Sequence, residues 1–307
     1  MQVIRFRNHD HPPAHSVMTI GNFDGVHLGH QELIRQVVEE AKEIGAQSVA
    51  ITFDPHPQVL LRNLQVPMLT SLPQRLDQFE RLGLDVACVI PFTPELAEKG
   101  AAEFVREYLI ENFQARRLIV GYDFAFGHNR EGTAQVMDEL SAQHDFSFRV
   151  LDAVTHSGSV VSSSRIRELL AKGEFDLATK LMGRPYCVQG EVARGPQRGR
   201  QIGFPTLNLH PAAPLPVARG VFASRICWRG TQYAGVSNYG VKPTVGSSEA
   251  LLETHVFDFD QDIYGEQVEI TPLRFLREER KFSGLEELKT QIEKDSAQAR
   301  TILRDHL

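Results

Sequence analysis

The chain of 307 residues has little cysteine, no long apolar run and no excess of positive charge. Its three cysteines, Cys88, Cys187 and Cys227, lie far apart and form no Cys-x-x-Cys pair. Buried thiols in a reducing cytoplasm are therefore the expectation. No stretch approaches membrane-span length, and no apolar segment follows Arg5 and Arg7, so neither a membrane span nor an ordinary secretory signal is expected. A formal net charge of −6 argues against a general nucleic-acid binder. The histidines between His9 and His15 have no carboxylate or cysteine at ligand spacing, so a solvated turn around Pro12 and Pro13 is expected there. Both familiar nucleotide fingerprints, GxxxxGK[ST] and GxGxxG, are missing. What remains is ordinary globular composition, 42% apolar and 23% charged, on a chain long enough for two domains.

The most informative stretch is Thr19–His30. Val17, Met18 and Ile20 before it read as a short buried strand. Leu33, Ile34, Val37, Val38, Ala41 and Ile44 after it recur at helical spacing, with Gly45 as the stop. The stretch is thus a strand–loop–helix junction carrying Gly21, Gly25 and Gly29. A helix N-terminus offers unpaired N–H groups and a positive dipole end, and glycines let a ligand approach the backbone. His27 and His30, three apart, face the same way and can donate to phosphate oxygens. A nucleotide site follows.

Gln47–Phe53, ending in Asp54-Pro-His-Pro57, and Asp85–Pro91 read as further strands. So do Arg117–Gly121 and Ser147–Leu151, while Ser71–Leu82 and Ala102–Phe113 read as helices. Strand–helix alternation at roughly 30-residue intervals predicts an α/β sheet of parallel crossover units. Ligands in such sheets bind beyond the carboxyl ends of the strands, so the loops after Ile20, Phe53 and Val120 should converge. In the third loop, Phe124 and Phe126 could wall an aromatic ring or fill core, and Asp123 could orient a ligand or magnesium. Ser162, Ser163 and Ser164 precede an amphipathic turn with Arg165 and Arg167. A helix cap explains one serine; a phosphate clamp explains the whole run.

Composition shifts at Met182–Tyr186, with Gly183 and Pro185 as linker, predicting domains over residues 1–183 and 184–307. Beyond it come short strands: Cys187–Val192, Val221–Trp228, Gln232–Val236, Leu252–Phe259 and Gln267–Phe275. They predict an antiparallel barrel or sandwich. Ser283–Glu286 reads as a capping box opening a C-terminal helix with Leu285, Leu288 and Ile292 on its apolar face. Gly195, Gly199 and Gly203, interleaved with Arg194, Arg198 and Arg200, suit a basic flap over phosphates or a solvated loop. Pro205-Thr-Leu-Asn208 sets Thr206 and Asn208 on one face, where a hydroxyl and an amide oxygen can hold magnesium. Glu253 and His255 share a strand face, and a carboxylate there can deprotonate an alcohol within reach.

Gly21–His30 together with Val161–Arg167 resembles the nucleotidyltransferase superfamily, whose pattern is Gly-x-Phe-Asp-x-x-His-x-Gly-His followed by a serine-rich element and arginine. Gly199–Asn208, Asn238–Thr244 and Glu253 followed by Asp262–Gly265 resemble riboflavin kinase. The whole chain is similar to the bacterial bifunctional riboflavin kinase/FAD synthetase family. That resemblance implies a Rossmann-like α/β domain and a mainly-β kinase barrel with a C-terminal helix. It implies ATP, riboflavin and FMN as ligands, with Mg2+, in the cytoplasm and without nucleic acid or membrane; self-association stays open. His27, His30 and Glu253 would be catalytic. ATP contacts would come from Gly21, Phe23, Asp24, His27, Gly29, His30, Ser162, Ser163, Ser164, Arg167, Gly195, Gly199, Gly203, Pro205 and Thr206. Asp54, Asp123, Phe124, Phe126 and Arg200 would meet the flavin, and Thr206 and Asn208 the metal. A transferase acting on another phosphate ester, or a sensor without catalysis, are the competing readings.

Overall fold

The computed structural model describes residues 1–6, 15–62, 66–195, 199, 202–244 and 247–304. Arg198, Arg200 and the turn at Pro12 and Pro13 lie outside the described residues. Backbone contacts divide the chain into two compact units, Met1–Ser163 and Ser164–Leu307.

The first unit runs β1 (Gln2–Arg5), β2 (Ser16–Ile20), α1 (Leu28–Ile44), β3 (Gln47–Asp54), α2 (Pro57–Arg62), α3 (Leu72–Arg81) and β4 (Val86–Pro91). It continues through α4 (Pro94–Ala97), α5 (Ala101–Phe104), β5 (Ala115–Gly121), α6 (Ala134–His144) and β6 (Ser147–Leu151). A small hairpin, β7 (Thr155–His156) and β8 (Ser159–Val160), closes it. Six parallel strands lie in the order β1-β4-β3-β2-β5-β6. The chain builds outward from β2 through β3 to β4, then returns to place β5 on the other side of β2. That reversal is the switch point at which open α/β sheets bind ligands. Because β3, β2 and β5 are neighbours running the same way, their three exit loops leave the sheet at one end.

Both faces of the sheet are covered, which is why its strands read as near-continuous apolar runs. Val17, Ala50, Ala87 and Ile119 pack under Leu33, Ile34 and Val37 of α1 and Phe79 of α3. Met18, Ile51, Cys88 and Leu118 point the other way, toward Phe104, Leu109 and Met137. Gly45 ends α1 in the left-handed conformation at φ 65°, returning its N–H to Ala41 and Lys42. Ser71 and Gln74 form a reciprocal capping box that starts α3. The helix expected over Ala102–Phe113 is α only to Phe104 and then widens to π spacing over Val105–Asn112. There the Asn112 side chain donates to the Glu107 carbonyl at 2.6 Å, within the wider turn.

The second unit opens with α7 (Ser163–Ala171) and α8 (Phe175–Met182). Then come β9 (Val188–Glu191), β10 (Leu207–Leu209), β11 (Gly220–Trp228), β12 (Thr231–Thr244), β13 (Ser247–Val256), β14 (Gln267–Arg277) and α9 (Leu285–Leu303). Six antiparallel strands follow the order β10-β13-β12-β11-β14-β9. A bridge between Ala193 and Asn208 joins the two ends, so the sheet curls into a nearly closed barrel. Val221, Ala223 and Val236 meet Ala299 and Leu303 of α9. Two expectations need correction here. Gly284 precedes α9 without a side-chain cap, and Ser283 donates from both its backbone and its hydroxyl to Glu287, not Glu286. Leu285 is 67% exposed and no part of the apolar face.

Candidate active sites

The loop after β2 is held by its own side chains. Phe23 and Val26 take positive φ, 51° and 38°, a strained choice for bulky residues. The Phe23 ring is fully buried, edge-on to Phe79 at 5.3 Å and to His30 at 5.2 Å. The Asp24 carboxylate, also buried, accepts from the Leu69 and Thr70 amides at 2.9 and 3.1 Å. Its backbone carbonyl accepts the Ser163 hydroxyl at 2.9 Å. Both side chains were expected among the nucleotide contacts. Both are buried among these partners.

His27 caps α1, its Nδ1 accepting the His30 amide at 3.4 Å. The two imidazoles stack at 3.7 Å and 17°. Gly29 makes room for that stack, since a Cβ there would stand 3.3 Å from the His27 ring. His30 Nδ1 is buried without a partner among the described residues. Burial first, then His27, then Arg75 push the His30 imidazole well below its ordinary range, so it is uncharged at neutral pH. The N-terminal end of α1 is thus a positive dipole end beside an uncharged His30.

Of the two neighbouring loops, Asp54 is exposed at the exit of β3 and Asp123 is exposed beyond β5. Phe124 and Phe126 stack at 5.1 Å and are half-buried, packed on the core with the remainder of each ring accessible. The core-filling reading of these rings holds in part. Gly132 is forced by the same arrangement, because a Cβ would lie 2.4 Å from the Phe126 ring. Ser162 is half-buried, Ser164 is exposed and Arg167 is half-buried on α7.

In the second unit a ladder aligns three polar residues. Glu253 on β13 lies opposite Asn208 of β10 on one side and Asn238 of β12 on the other. Asn208 is 4% exposed, and its Oδ1 is buried with no hydrogen-bond partner among the described residues. An orphaned carbonyl oxygen is costly unless a ligand satisfies it. Gly195 is packed on the same amide, a Cβ there falling 2.3 Å from Asn208 Nδ2. Gly199 would similarly meet the Phe204 carbonyl at 2.3 Å and Thr206 Oγ1 at 3.4 Å. Gly203 turns at φ 88°, Pro205 is exposed and Thr206 is half-buried. His255 holds this segment through Nδ1 and the Pro205 carbonyl at 2.9 Å, its ring edge-on to Phe204. Glu279, from beyond β14, accepts from Asn238 Nδ2 at 3.3 Å and covers Gly240.

The FAD synthetase family model matches residues 9–165, and the riboflavin kinase family model matches residues 182–303. A bifunctional riboflavin kinase/FMN adenylyltransferase of Listeria monocytogenes is 37% identical over 92% of this chain and 91% of its own. Its counterpart from Escherichia coli K12 is 33% identical over 94% and 93%. The chain belongs to the bifunctional riboflavin kinase/FMN adenylyltransferase family. It is an enzyme with both activities: it phosphorylates riboflavin to FMN and adenylylates FMN to FAD. A solved Streptococcus pneumoniae structure described as a macrolide-efflux protein shares the fold, at 30% identity, TM-score 0.84 and coverage of 98% and 99%. Among the described residues here, no helix is long and apolar enough to cross a membrane.

Several residues around these sites escape sequence reasoning: Thr52, Thr70 and Arg75 in the family's adenylyltransferase half, and Glu279 in the kinase half. For Arg75 one signal exists. It lies four residues before Phe79 on the same helical face, and both are buried.

Proposed function

We propose that the two reactions divide between the two ligand-ready clusters, one per domain, over residues 1–183 and 184–307. In the kinase site Glu253 takes the proton of the riboflavin 5′-hydroxyl as its oxygen attacks the γ-phosphorus of ATP, and ADP leaves. In the adenylyltransferase site a phosphate oxygen of FMN attacks the α-phosphorus of a second ATP, forming FAD and releasing pyrophosphate. His27 and His30 donate hydrogen bonds to the reacting phosphates, and Ser162, Ser163, Ser164 and Arg167 hold the outer ones. Asp54, Asp123, Phe124 and Phe126 position the flavin beside them.

The observation that supports the kinase assignment is the Oδ1 of Asn208 beside Glu253, buried and without a partner among the described residues. A hard cation prefers such oxygen donors, so Asn208 and Thr206 would hold Mg2+, which would neutralise charge on the transferred phosphoryl group. Gly195, Gly199, Gly203 and Pro205 shape the segment over the ATP phosphates. None of the three cysteines forms a disulfide, which supports a cytoplasmic setting. The negative net charge speaks against a nucleic-acid partner.

Replacing single residues in the intact chain tests the division. His30→Ala should abolish FAD formation from FMN and leave FMN formation from riboflavin within about twofold. Glu253→Gln should do the reverse, lowering FMN formation by roughly 100-fold or more. Chromatography of products formed with ATP and Mg2+ reads both, and equal loss of both activities in either variant sinks the proposal.

A further inference from the structure

Arg75 lies between Asp54 and Gly121, a span to which the sequence assigns fold and no function. It is the fourth residue of α3 and is 2% exposed. Burying a guanidinium carries a large desolvation cost that an ion pair usually offsets. Here no ion pair does so among the described residues. Nη1 donates to Thr52 Oγ1 at 2.8 Å and to the Phe53 carbonyl at 3.2 Å, and Nε is buried with no partner among the described residues. The two carboxylates that act on it from further away are Asp24 and Asp54. Asp24 already accepts the Leu69 and Thr70 amides, and Asp54 is exposed. Burial lowers the Arg75 pKa and these carboxylates oppose that, so the guanidinium keeps its charge.

Thr52 relays the contact. Its hydroxyl, fully buried, accepts from Arg75 and donates to the Asn22 carbonyl at 3.3 Å. Asn22 sits in the loop that leads to His27 and His30, beside Gly21, whose amide donates to the Ile51 carbonyl at 3.1 Å. One buried side chain therefore grips the start of the phosphate loop and stands close enough to His30 to act on it electrostatically.

We propose that Arg75 is a positioning residue for adenylyl transfer: through Thr52 it fixes the Asn22 end of the loop, and its buried positive charge bars a second cation at His30. The inference rests on assigning Gly21–His30 to FAD formation. The charged or titratable groups around His30 are His27 on its own helix and Arg75 from α3, with Phe23 the uncharged neighbour from the loop. With Arg75 permanently charged, the site is positive without taking up a proton. A neutral imidazole next to a substrate phosphate then works as a hydrogen-bond donor whose state does not change across the ordinary histidine range. Removing the Arg75 charge removes one of the influences that hold His30 low. His30 then takes a proton at a higher pH, and the acid limb of FAD formation moves up.

The experiment uses the full chain carrying Arg75→Gln, Arg75→Lys, Thr52→Val or His30→Ala, with FMN, ATP and Mg2+ as substrates from pH 5 to 9. FMN formation from riboflavin by the same preparations reports that the protein is folded. Arg75→Gln should lower kcat/KM for FAD formation roughly 10- to 100-fold and shift the acid limb to higher pH. Arg75→Lys should restore the position of the limb while recovering only part of the rate. Thr52→Val keeps the charge and cuts the relay, so it should lower the rate and leave the limb in place. An acid limb in Arg75→Gln identical to wild type overturns the charge role, because loss of packing alone does not move it. Should Arg75→Gln fail to fold, an unchanged FAD rate in Thr52→Val overturns the relay on its own. Full FAD formation in His30→Ala instead overturns the site assignment beneath the proposal.

Discussion

Gly195 has no room for a side chain. The Cβ of an alanine would press on the buried Asn208 amide, whose Oδ1 is the unpartnered oxygen of the kinase site. Gly195→Ala should therefore displace that amide and raise the Mg2+ concentration that half-saturates riboflavin phosphorylation by roughly tenfold. FAD formation from added FMN should stay within about twofold of wild type, and titrating Mg2+ in the two assays separates the outcomes. At this scale the motif residues were legible in sequence because their type and spacing carry the chemistry directly. The partners that hold them were not. Nothing near Phe23 or Asp24 announces that Phe79, Leu69 and Thr70, far along the chain, will enclose their side chains. The partners of Arg75, Thr52 and the Phe53 carbonyl, are distant in sequence in the same way.

Elements were legible where hydrophobic period and punctuation agreed, and less so where they conflicted. Val86–Pro91 and Leu28–Ile44 follow their apolar patterns closely. Strand β12 does not stop at Val236, as its Gly235, Gly240 and Pro243 suggest, but runs to Thr244 because β13 pairs with it throughout. Tertiary pairing overrode local turn chemistry. The short strand β1 was missed, since its only support is the neighbouring β4. Helix α9 is anchored less by its first turn than by an ion pair further along. Arg277 of β14 gives Asp295 three hydrogen bonds of 2.8 to 3.1 Å, and Asp295 is 4% exposed. Asp295→Ala leaves a largely buried guanidinium unanswered and should destabilise the second unit by about 3 kcal/mol. A urea titration followed by kinase activity gives the number; a loss below about 1 kcal/mol would mean that α9 is held by its apolar face alone.

For the molecule as a whole, the division of labour suggests cutting it. Residues 164–307 and residues 184–307 should both phosphorylate riboflavin, and neither should make FAD. The longer fragment keeps α8, whose Phe175 is 5% exposed and packs edge-on against Phe222 at 5.8 Å. Losing that buried ring should cost the shorter fragment about 3 kcal/mol, read as a lower urea midpoint. Equal midpoints would assign α8 no part in the barrel's stability. The two-domain plan was legible because the pattern changes from strand–helix alternation to short strands, whereas contacts such as Phe175 on Phe222 arise only from tertiary packing. The strand order of the first unit also bears on how the protein is born. Its central strand β2 and both histidines leave the ribosome before β5, a neighbour of β2 in the sheet, which begins at Ala115. At roughly 5 to 20 residues per second, one edge of β2 waits about 5 to 19 seconds for its partner. The phosphate loop is thus made well before the strand that walls one side of it.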